Sequence, residues 1–194
     1  RHIDLSNTKF WSGNIGQSTF TVNIEKYTKL KDLNISSSIV TSISLPNASL
    51  ASLNIINSAV EGISLVNQPF LDRLDFSGCK RLKTVTIDSC DKITELNLSN
   101  LGDLHTIRIT SCPNLKSIIC TNNVNLTTFN VSNCNNVEII NVSQCTNESL
   151  TVYIVGVPNI KELNISSTNT PNDIQAASSL PNLRTLNISN SQVS

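Results

Sequence analysis

Six cysteines are the residues of this chain most able to carry chemistry. Cys90, Cys112 and Cys134 follow one another at intervals of 22 residues, and Cys79 and Cys145 lie 11 residues further out on either side. Thiols at so regular a spacing could bind zinc, form disulfides or fill small slots in a core. The sequence has neither the close cysteine pairs nor the nearby histidines of zinc sites. We therefore predict no metal site and buried, reduced packing thiols, with a disulfide between stacked neighbours as the alternative.

A group of acidic residues suggests a second kind of chemistry. Carboxylates that converge from neighbouring strands can bind calcium. They can also form ion pairs between turns, and we expect such pairing here because Arg73 lies beside Glu95. The acidic residues of the group are Asp72, Asp75, Asp88, Asp91 and Glu95.

The sequence contains no motif for catalysis or for cofactor binding. It lacks a nucleophile–base pair, the metalloprotease motif His-Glu-x-x-His, a glycine-rich phosphate loop and an EF-hand loop. The two histidines, His2 and His105, are isolated. We expect a protein that is not an enzyme and that uses no cofactor.

The composition bears on partners and location. Charged residues make up 14% of the chain, and 14 basic residues balance 14 acidic ones. We expect no nucleic-acid partner, because no basic face is visible, and no membrane span, because no apolar run is long enough. The abundance of Ser, Thr and Asn favours an extracellular, cell-surface or virion location.

A repeat of apolar residues provides the elements that must position these side chains. The string Leu-x-x-Leu-x-Leu, with Ile, Val or Phe also allowed, recurs about every 11 residues, and two such half-repeats make one turn. Apolar residues at i and i+2 point to the same side of a strand, and stacked turns bury what one half-repeat cannot. The middle apolar residues of every second copy follow one another at the 20-to-23-residue period of a solenoid: Leu33, Leu53, Leu74, Leu96, Ile118, Ile140, Leu163 and Leu186.

Copies such as Leu30-Lys-Asp-Leu33-Asn-Ile35-Ser and Leu183-Arg-Thr-Leu186-Asn-Ile188-Ser resemble leucine-rich repeats. Two nested strings in each turn are similar to the IRREKO subclass, which the family associates with bacteria and their viruses. The resemblance implies a mostly β leucine-rich repeat solenoid with strands on two sides of each turn. It also implies that a strand face binds partners. The chain departs from the family at the ladder position five residues after the middle apolar residue, where most turns have small residues or thiols instead of Asn.

The repeat register fails first near the N-terminus. Residues 7–29 form an irregular or long repeat that includes the aromatic residues Phe10 and Trp11. This stretch is either a longer turn or a covering loop. The alternation of Phe20, Val22 and Ile24 predicts an additional strand within it.

The register fails again near the C-terminus. Residues 170–180 predict a short convex helix, because Thr170 can cap it and Pro171 suits its first position. We treat residues 1–194 as a single solenoid segment. Because the sequence starts and stops in mid-repeat, we expect it to be part of a longer chain.

The outward residues of the main half-repeats form a ladder of amides, interrupted by Ile119. Stacked Asn side chains could hydrogen-bond one another along the sheet, or present a polar surface to carbohydrate or peptide. Ile139 should face out on the turn next to Ile119, and exposed paired aliphatics can anchor a partner. The ladder residues are Asn34, Asn54, Asp75, Asn97, Ile119, Asn141, Asn164 and Asn187. The candidate binding residues are Ile119, Ile139, Asn97, Asn141, Asn164, Lys116, Glu138 and Trp11.

Two functions are consistent with these features. The favoured one is a non-catalytic binding module of a bacterial or phage surface protein, which recognises a protein or glycan through its strand face. The alternative is a structural component of a larger assembly, such as a tail, decoration or host-attachment protein of a phage virion.

Overall fold

The structure, a computed structural model, describes residues 1–8, 20–47, 49–169, 174–176 and 180–191. Within these ranges the chain forms sixteen short strands and no helix. All but one of the described turns place one strand on each of two sides, and neighbouring strands pair in parallel. The predicted mostly β solenoid is therefore confirmed. Within the same ranges, no helix is long and apolar enough to cross a membrane.

The main strand face consists of three-residue strands centred on the middle apolar residues of the main half-repeats. Its strands are β1 His2–Asp4, β3 Asp32–Asn34, β5 Ser52–Asn54, β8 Glu95–Asn97, β10 Ser117–Ile119, β12 Ile139–Asn141, β14 Glu162–Asn164 and β16 Thr185–Asn187. They form a three-stranded sheet of order β1-β3-β5 and a five-stranded sheet of order β16-β14-β12-β10-β8. The face is therefore interrupted between Asn54 and Glu95.

The second strand face has longer strands over much of its length. Its strands are β2 Thr21–Asn23, β4 Ser42–Ser44, β6 Gly62–Val66, β7 Thr84–Asp88, β9 Thr106–Thr110, β11 Thr128–Ser132, β13 Thr151–Val155 and β15 Ile174–Ala176. They form a β2-β4 pair and a six-stranded sheet of order β15-β13-β11-β9-β7-β6. On this side the sheet continues past the point where the main strand face is interrupted.

The core lies between the two faces and follows the repeat. Successive strand residues alternate between buried and accessible, as in the pattern of β11. Leu96, one of the predicted middle apolar residues, is 1% exposed, which confirms its placement, and Phe129, the middle apolar residue of a second-face half-repeat, is 0% exposed. Because each turn contributes a few such side chains, stacking joins them into one continuous apolar cluster.

Most bends after a strand contain one residue with left-handed backbone, four positions after the middle apolar residue. Asn57, Asn100 and Asn122 have φ values of 56°, 60° and 59°. Asn tolerates this region better than most residues because its short amide can bond locally. Gly78 occupies the same position at φ 72°, where glycine has no steric penalty.

A row of exposed Asn side chains joins successive bends. Each lies just before the leading apolar residue and donates its amide hydrogen to a carbonyl of the preceding turn. Asn125 Nδ2 donates to the Gly102 oxygen at 2.7 Å, and Asn136 Nδ2 donates to the Pro113 oxygen at 2.7 Å. The solenoid is thus held between turns by side-chain amides as well as by strand pairing.

The predicted helix over residues 170–180 is wrong where the structure describes it. Ile174–Ala176 is strand β15, and it pairs with Val152–Ile154 of β13. The open edge of β13 offers inter-strand partners to these backbone groups, and this tertiary pairing outweighs a local helix preference.

The additional strand predicted near the N-terminus is confirmed as β2, which pairs with β4. Phe10 and Trp11, the aromatic residues singled out in this stretch, lie outside the described residues. The choice between a longer turn and a covering loop stays open for the part of 7–29 that is not described.

Candidate functional site

In the five-stranded part of the main strand face, the Asn side chains of the ladder cap bends and do not bond along the sheet. Asn97 Oδ1 accepts the Ser99 amide at 3.1 Å, and Asn141 Oδ1 accepts the Ser143 amide at 3.0 Å. Asn164 makes the same contact with Ser166. The interpretation that these side chains bond one another is therefore wrong for Asn97, Asn141 and Asn164, whereas the Asn34 side chain hydrogen-bonds Asp4 of the neighbouring strand. The amide N–H₂ groups of Asn97, Asn141 and Asn164 have no protein acceptor among the described residues, which leaves them available to a partner.

A shallow groove of about 340 Å³ lies in the main strand face around Ile119 and Ile139. Both side chains are half-buried and lie on the accessible side of adjacent strands, since Ile118 and Ile140 beside them are fully buried. Pairing aligns Ile119 with Asn141 and Ile139 with Ser117, so the two isoleucines are diagonal neighbours. The lining residues are Ile119, Ile139, Ile140, Asn141, Glu162, Leu163, Asn164, Thr185 and Asn187.

A row of charged residues runs beside the groove, one position outside the strands. Lys161 Nζ lies 2.8 Å from Glu138 Oε2, and this hydrogen bond lowers the pKa of Glu138. Lys116 and Glu138 occupy equivalent places in neighbouring turns, because the Glu138 amide donates to the Lys116 carbonyl at 2.8 Å. Lys116 is exposed and forms no ion pair among the described residues. The rim of the groove therefore carries one ion pair, Lys161–Glu138, and one free positive charge at Lys116.

A second opening, a cleft of about 700 Å³, lies where the main strand face is interrupted. It separates residues 72–77 from residues 94–100, and Asn97 lines it instead of the groove. The expected ion pair between Arg73 and Glu95 is not formed within 4.0 Å in the described structure. Asp72 and Glu95 thus remain exposed and unpaired. No cluster of three or more possible metal-binding side chains occurs among the described residues.

One comparison with known proteins bears on this geometry. The family model described as "At1g61320/AtMIF1, LRR domain" matches residues 22–194.

The chain belongs to the leucine-rich repeat family.

A search of curated proteins and a search of solved structures found no match. Leucine-rich repeat domains are in general non-catalytic and bind proteins. The coarse prediction of a repeat that binds partners is therefore supported by family membership.

This leucine-rich repeat domain has an Asn at the usual ladder position in one turn, Asn123. Its Oδ1 accepts the Leu101 amide from the preceding turn at 2.8 Å. Its Nδ2 donates to the carbonyl oxygens of Leu98 at 2.8 Å and Cys120 at 3.1 Å. Asn123 is fully buried, so these bonds satisfy backbone groups that water cannot reach.

Thiols perform the same two tasks in other turns of the leucine-rich repeat. The Cys112 amide donates to Cys134 Sγ at 3.4 Å, as the Leu101 amide donates to Asn123. Cys79 Sγ donates to the Ile55 carbonyl at 3.0 Å. A thiol is a weaker donor and acceptor than an amide, but it fits the small slot. The cysteine column therefore acts as a weakened ladder, a role beyond the packing predicted from the sequence.

All six cysteines are buried free thiols, as predicted. Burial raises the pKa of Cys79 and of Cys90, because a thiolate would lose its hydration. The hydrogen bond with Cys134, followed by burial, raises the pKa of Cys112. Hydrogen bonds from Cys112 and Cys120 lower the pKa of Cys134 and Cys145, but all six side chains are 0% exposed. Reactivity requires an exposed thiolate, so burial suits these thiols to packing and not to nucleophilic chemistry.

The structure brings together four of the eight predicted site residues. Ile119, Ile139, Asn141 and Asn164 line the groove, and Lys116 and Glu138 lie in the adjacent charged row. Asn97 lies in the cleft, and Trp11 is outside the described residues.

Sequence reasoning missed Glu162 and Thr185, which share the groove. They occupy the outward strand position before the middle apolar residue, which is also the position of Ile139. Reading that column as well as the Asn column would have found them.

Proposed function

We propose that this leucine-rich repeat domain is a non-catalytic binding module of a bacterial or phage surface protein. In this proposal its partner, a protein or glycan, binds the main strand face, with contacts centred on Ile119 and Ile139.

The groove carries the proposal, because it combines an apolar centre with a polar rim. Ile119 and Ile139 can bury their remaining accessible surface against a partner, and central apolar contacts dominate the energy of many interfaces. The free amide donors of Asn141 and Asn164 and the carboxylate of Glu162 lie around them and can fix the partner's orientation. A convergence of this kind is typical of binding sites.

The surface location is supported by composition. Ser, Thr and Asn outnumber charged residues on the strand faces, and charged residues are 14% of the chain. The free thiols are compatible with an oxidising environment, because their burial limits the access of oxidants.

The test compares ligand selection by three proteins from a peptide display library and a glycan array. The first is the unchanged domain and the second carries Ile119→Asp with Ile139→Asp. The third is a matched control, Val66→Asp with Val124→Asp, whose side chains are 42% and 46% exposed away from the groove. We expect the unchanged and control proteins to select the same ligand and the groove variant to lose it, because a buried carboxylate cannot replace an apolar anchor.

Circular dichroism of each protein verifies that the folds are equal. Selection of the same ligand by all three proteins would exclude Ile119 and Ile139 as the anchor. Failure of the unchanged domain to select any ligand would count against a peptide or glycan partner.

A further inference from the structure

Hydrogen bonds between turns follow a fixed pattern along the main strand face. In regular turns, the residue two positions before the middle apolar residue donates its amide to the equivalent carbonyl of the preceding turn. The Lys116 amide donates to the Thr94 oxygen at 2.8 Å, and the Glu138 amide donates to the Lys116 oxygen at 2.8 Å. On the other side of each strand, the Leu98 amide donates to the Ile119 oxygen at 2.7 Å.

This pattern stops at the cleft. Residues 72–76 form no strand, and no backbone hydrogen bond joins them to 51–55 or to 94–98, all of which are described. The bonds that the pattern calls for, from the Thr94 amide to the Asp72 oxygen and from the Phe76 amide to the Asn97 oxygen, are not formed. Strand β8 therefore has an open edge inside the solenoid, with unpaired backbone donors and acceptors.

Two residues distinguish this turn from its neighbours. Phe76 is fully buried where the neighbouring turns have the smaller Ile55 and Leu98. Gly78 lies so close to the preceding turn that an added Cβ would overlap Asn57 Oδ1. The bend of this turn is bonded to the preceding turn, because the Asn57 amide donates to the Ser77 oxygen at 2.8 Å, but no backbone hydrogen bond joins residues 76–78 to 97–100. On the opposite side β6 and β7 stay paired.

The cleft also has a definite charge. Its lining includes three carboxylates, from Asp72, Asp75 and Glu95, and one guanidinium, from Arg73. Of the carboxylates, Asp75 accepts the Ser77 amide at 2.8 Å. The other two are exposed and have no partner among the described residues. The cleft therefore attracts cations.

We propose that the cleft binds an extended peptide segment rich in Lys or Arg, which adds to the open edge of β8. Open strand edges accept extended peptides through main-chain hydrogen bonds, and the unpaired carboxylates select basic side chains. This site is separate from the groove around Ile119 and Ile139 and does not depend on the function proposed for that groove.

The test measures fluorescence anisotropy with labelled ten-residue peptides at 0.15 M salt. The probe alternates Lys and Thr, so that in a strand its Lys side chains share one face. A second peptide replaces every Lys by Glu, and two further peptides carry backbone N-methyl groups on all Lys or on all Thr. We expect the Lys–Thr peptide to bind, the Glu–Thr peptide not to bind, and at least one N-methylated peptide to lose binding.

The protein variants locate the site. Asp72→Asn with Glu95→Gln should weaken binding of the Lys–Thr peptide about tenfold, through loss of two charge contacts. The matched control, Asp103→Asn with Glu148→Gln, changes two exposed acids away from the cleft and should leave binding unchanged. The variant Ile119→Asn with Ile139→Asn, which adds no charge beside Asn97 of the cleft, should bind the peptide normally, which separates this proposal from the groove.

Three results would overturn the proposal. They are equal binding of both N-methylated peptides and the parent, equal weakening by the cleft and control variants, and no binding of the Lys–Thr peptide. Equal binding of the N-methylated and parent peptides would show that the peptide is held by charge attraction alone, without strand addition.

Discussion

Replacing Asn123 by alanine removes three buried hydrogen bonds at one point of the solenoid. The bonds are those to the Leu101 amide and to the carbonyl oxygens of Leu98 and Cys120, at 2.8, 2.8 and 3.1 Å. At a net value of about 1 kcal/mol each, with a further cost for backbone groups left unpaired, Asn123→Ala should lower the free energy of unfolding by about 3–4 kcal/mol. Urea denaturation followed by far-UV circular dichroism measures this loss.

Asn123→Cys provides the informative comparison, because cysteines occupy the same position in other turns. If thiols form a weakened ladder, as the contacts of Cys134 and Cys79 indicate, Asn123→Cys should recover about half of the loss, or about 1.5–2 kcal/mol. Hydrogen exchange at the Leu101 amide gives a local readout, and it should accelerate most in Asn123→Ala. Equal destabilisation by alanine and cysteine would refute the ladder role of the thiols. A loss below about 1 kcal/mol for Asn123→Ala would refute the importance of the bonds themselves.

Three further predictions concern the core, a bend and the response to pH. Phe129→Ala should cost about 3–5 kcal/mol in a denaturant titration, because the ring is 0% exposed; a loss below about 1 kcal/mol would contradict close packing there. Gly78→Ala should lower the free energy of unfolding by about 1–2 kcal/mol, because Gly78 has left-handed backbone. The loss should be smaller when Asn57→Ala has already removed the overlapping side chain. Equal losses with Asn57 and with Ala at position 57 would rule out that overlap. Because burial raises the pKa of Cys79 from the ordinary 9.0, its stabilising contribution is complete below pH 9 and is lost as pH rises toward the folded-state pKa. Thermal melts from pH 8 to 10.5 should therefore show a smaller alkaline loss for Cys79→Ser than for the unchanged protein, and parallel curves would contradict the argument.

The candidate site could be predicted in part. Alternation along a strand is a local rule, so the outward placement of Ile119, Ile139 and the Asn ladder was accessible from the sequence. The hydrogen-bond partners of those Asn side chains could not be predicted from the sequence, because each side chain can bond along the sheet or to its own bend. Bend geometry decides this, and it places the backbone amide two residues later within reach of Oδ1.

The helix predicted over residues 170–180 was wrong because tertiary contacts, and not local sequence, decide the structure there. The sequence around Pro171 satisfies local rules for a helix start, but a neighbouring strand with an open edge can supply partners that local rules do not include. Ile174–Ala176 pairs with β13 for that reason. The left-handed column was, by contrast, readable in advance, since Asn or Gly recurs four residues after many middle apolar residues.

The sequence by itself determined the solenoid, because a fixed period of apolar residues can be buried in only one way, by stacking like turns on one another. It also determined which side chains face inward and that five of the six cysteines occupy the same slot of their half-repeats. The tertiary structure alone decided where stacking is imperfect. The main strand face is interrupted at residues 72–76, in the turn where Phe76 replaces the smaller Ile55 and Leu98 and where Gly78 lies against Asn57. These contacts lie between turns some 20 residues apart in sequence, and only packing in three dimensions sets the distance between those turns.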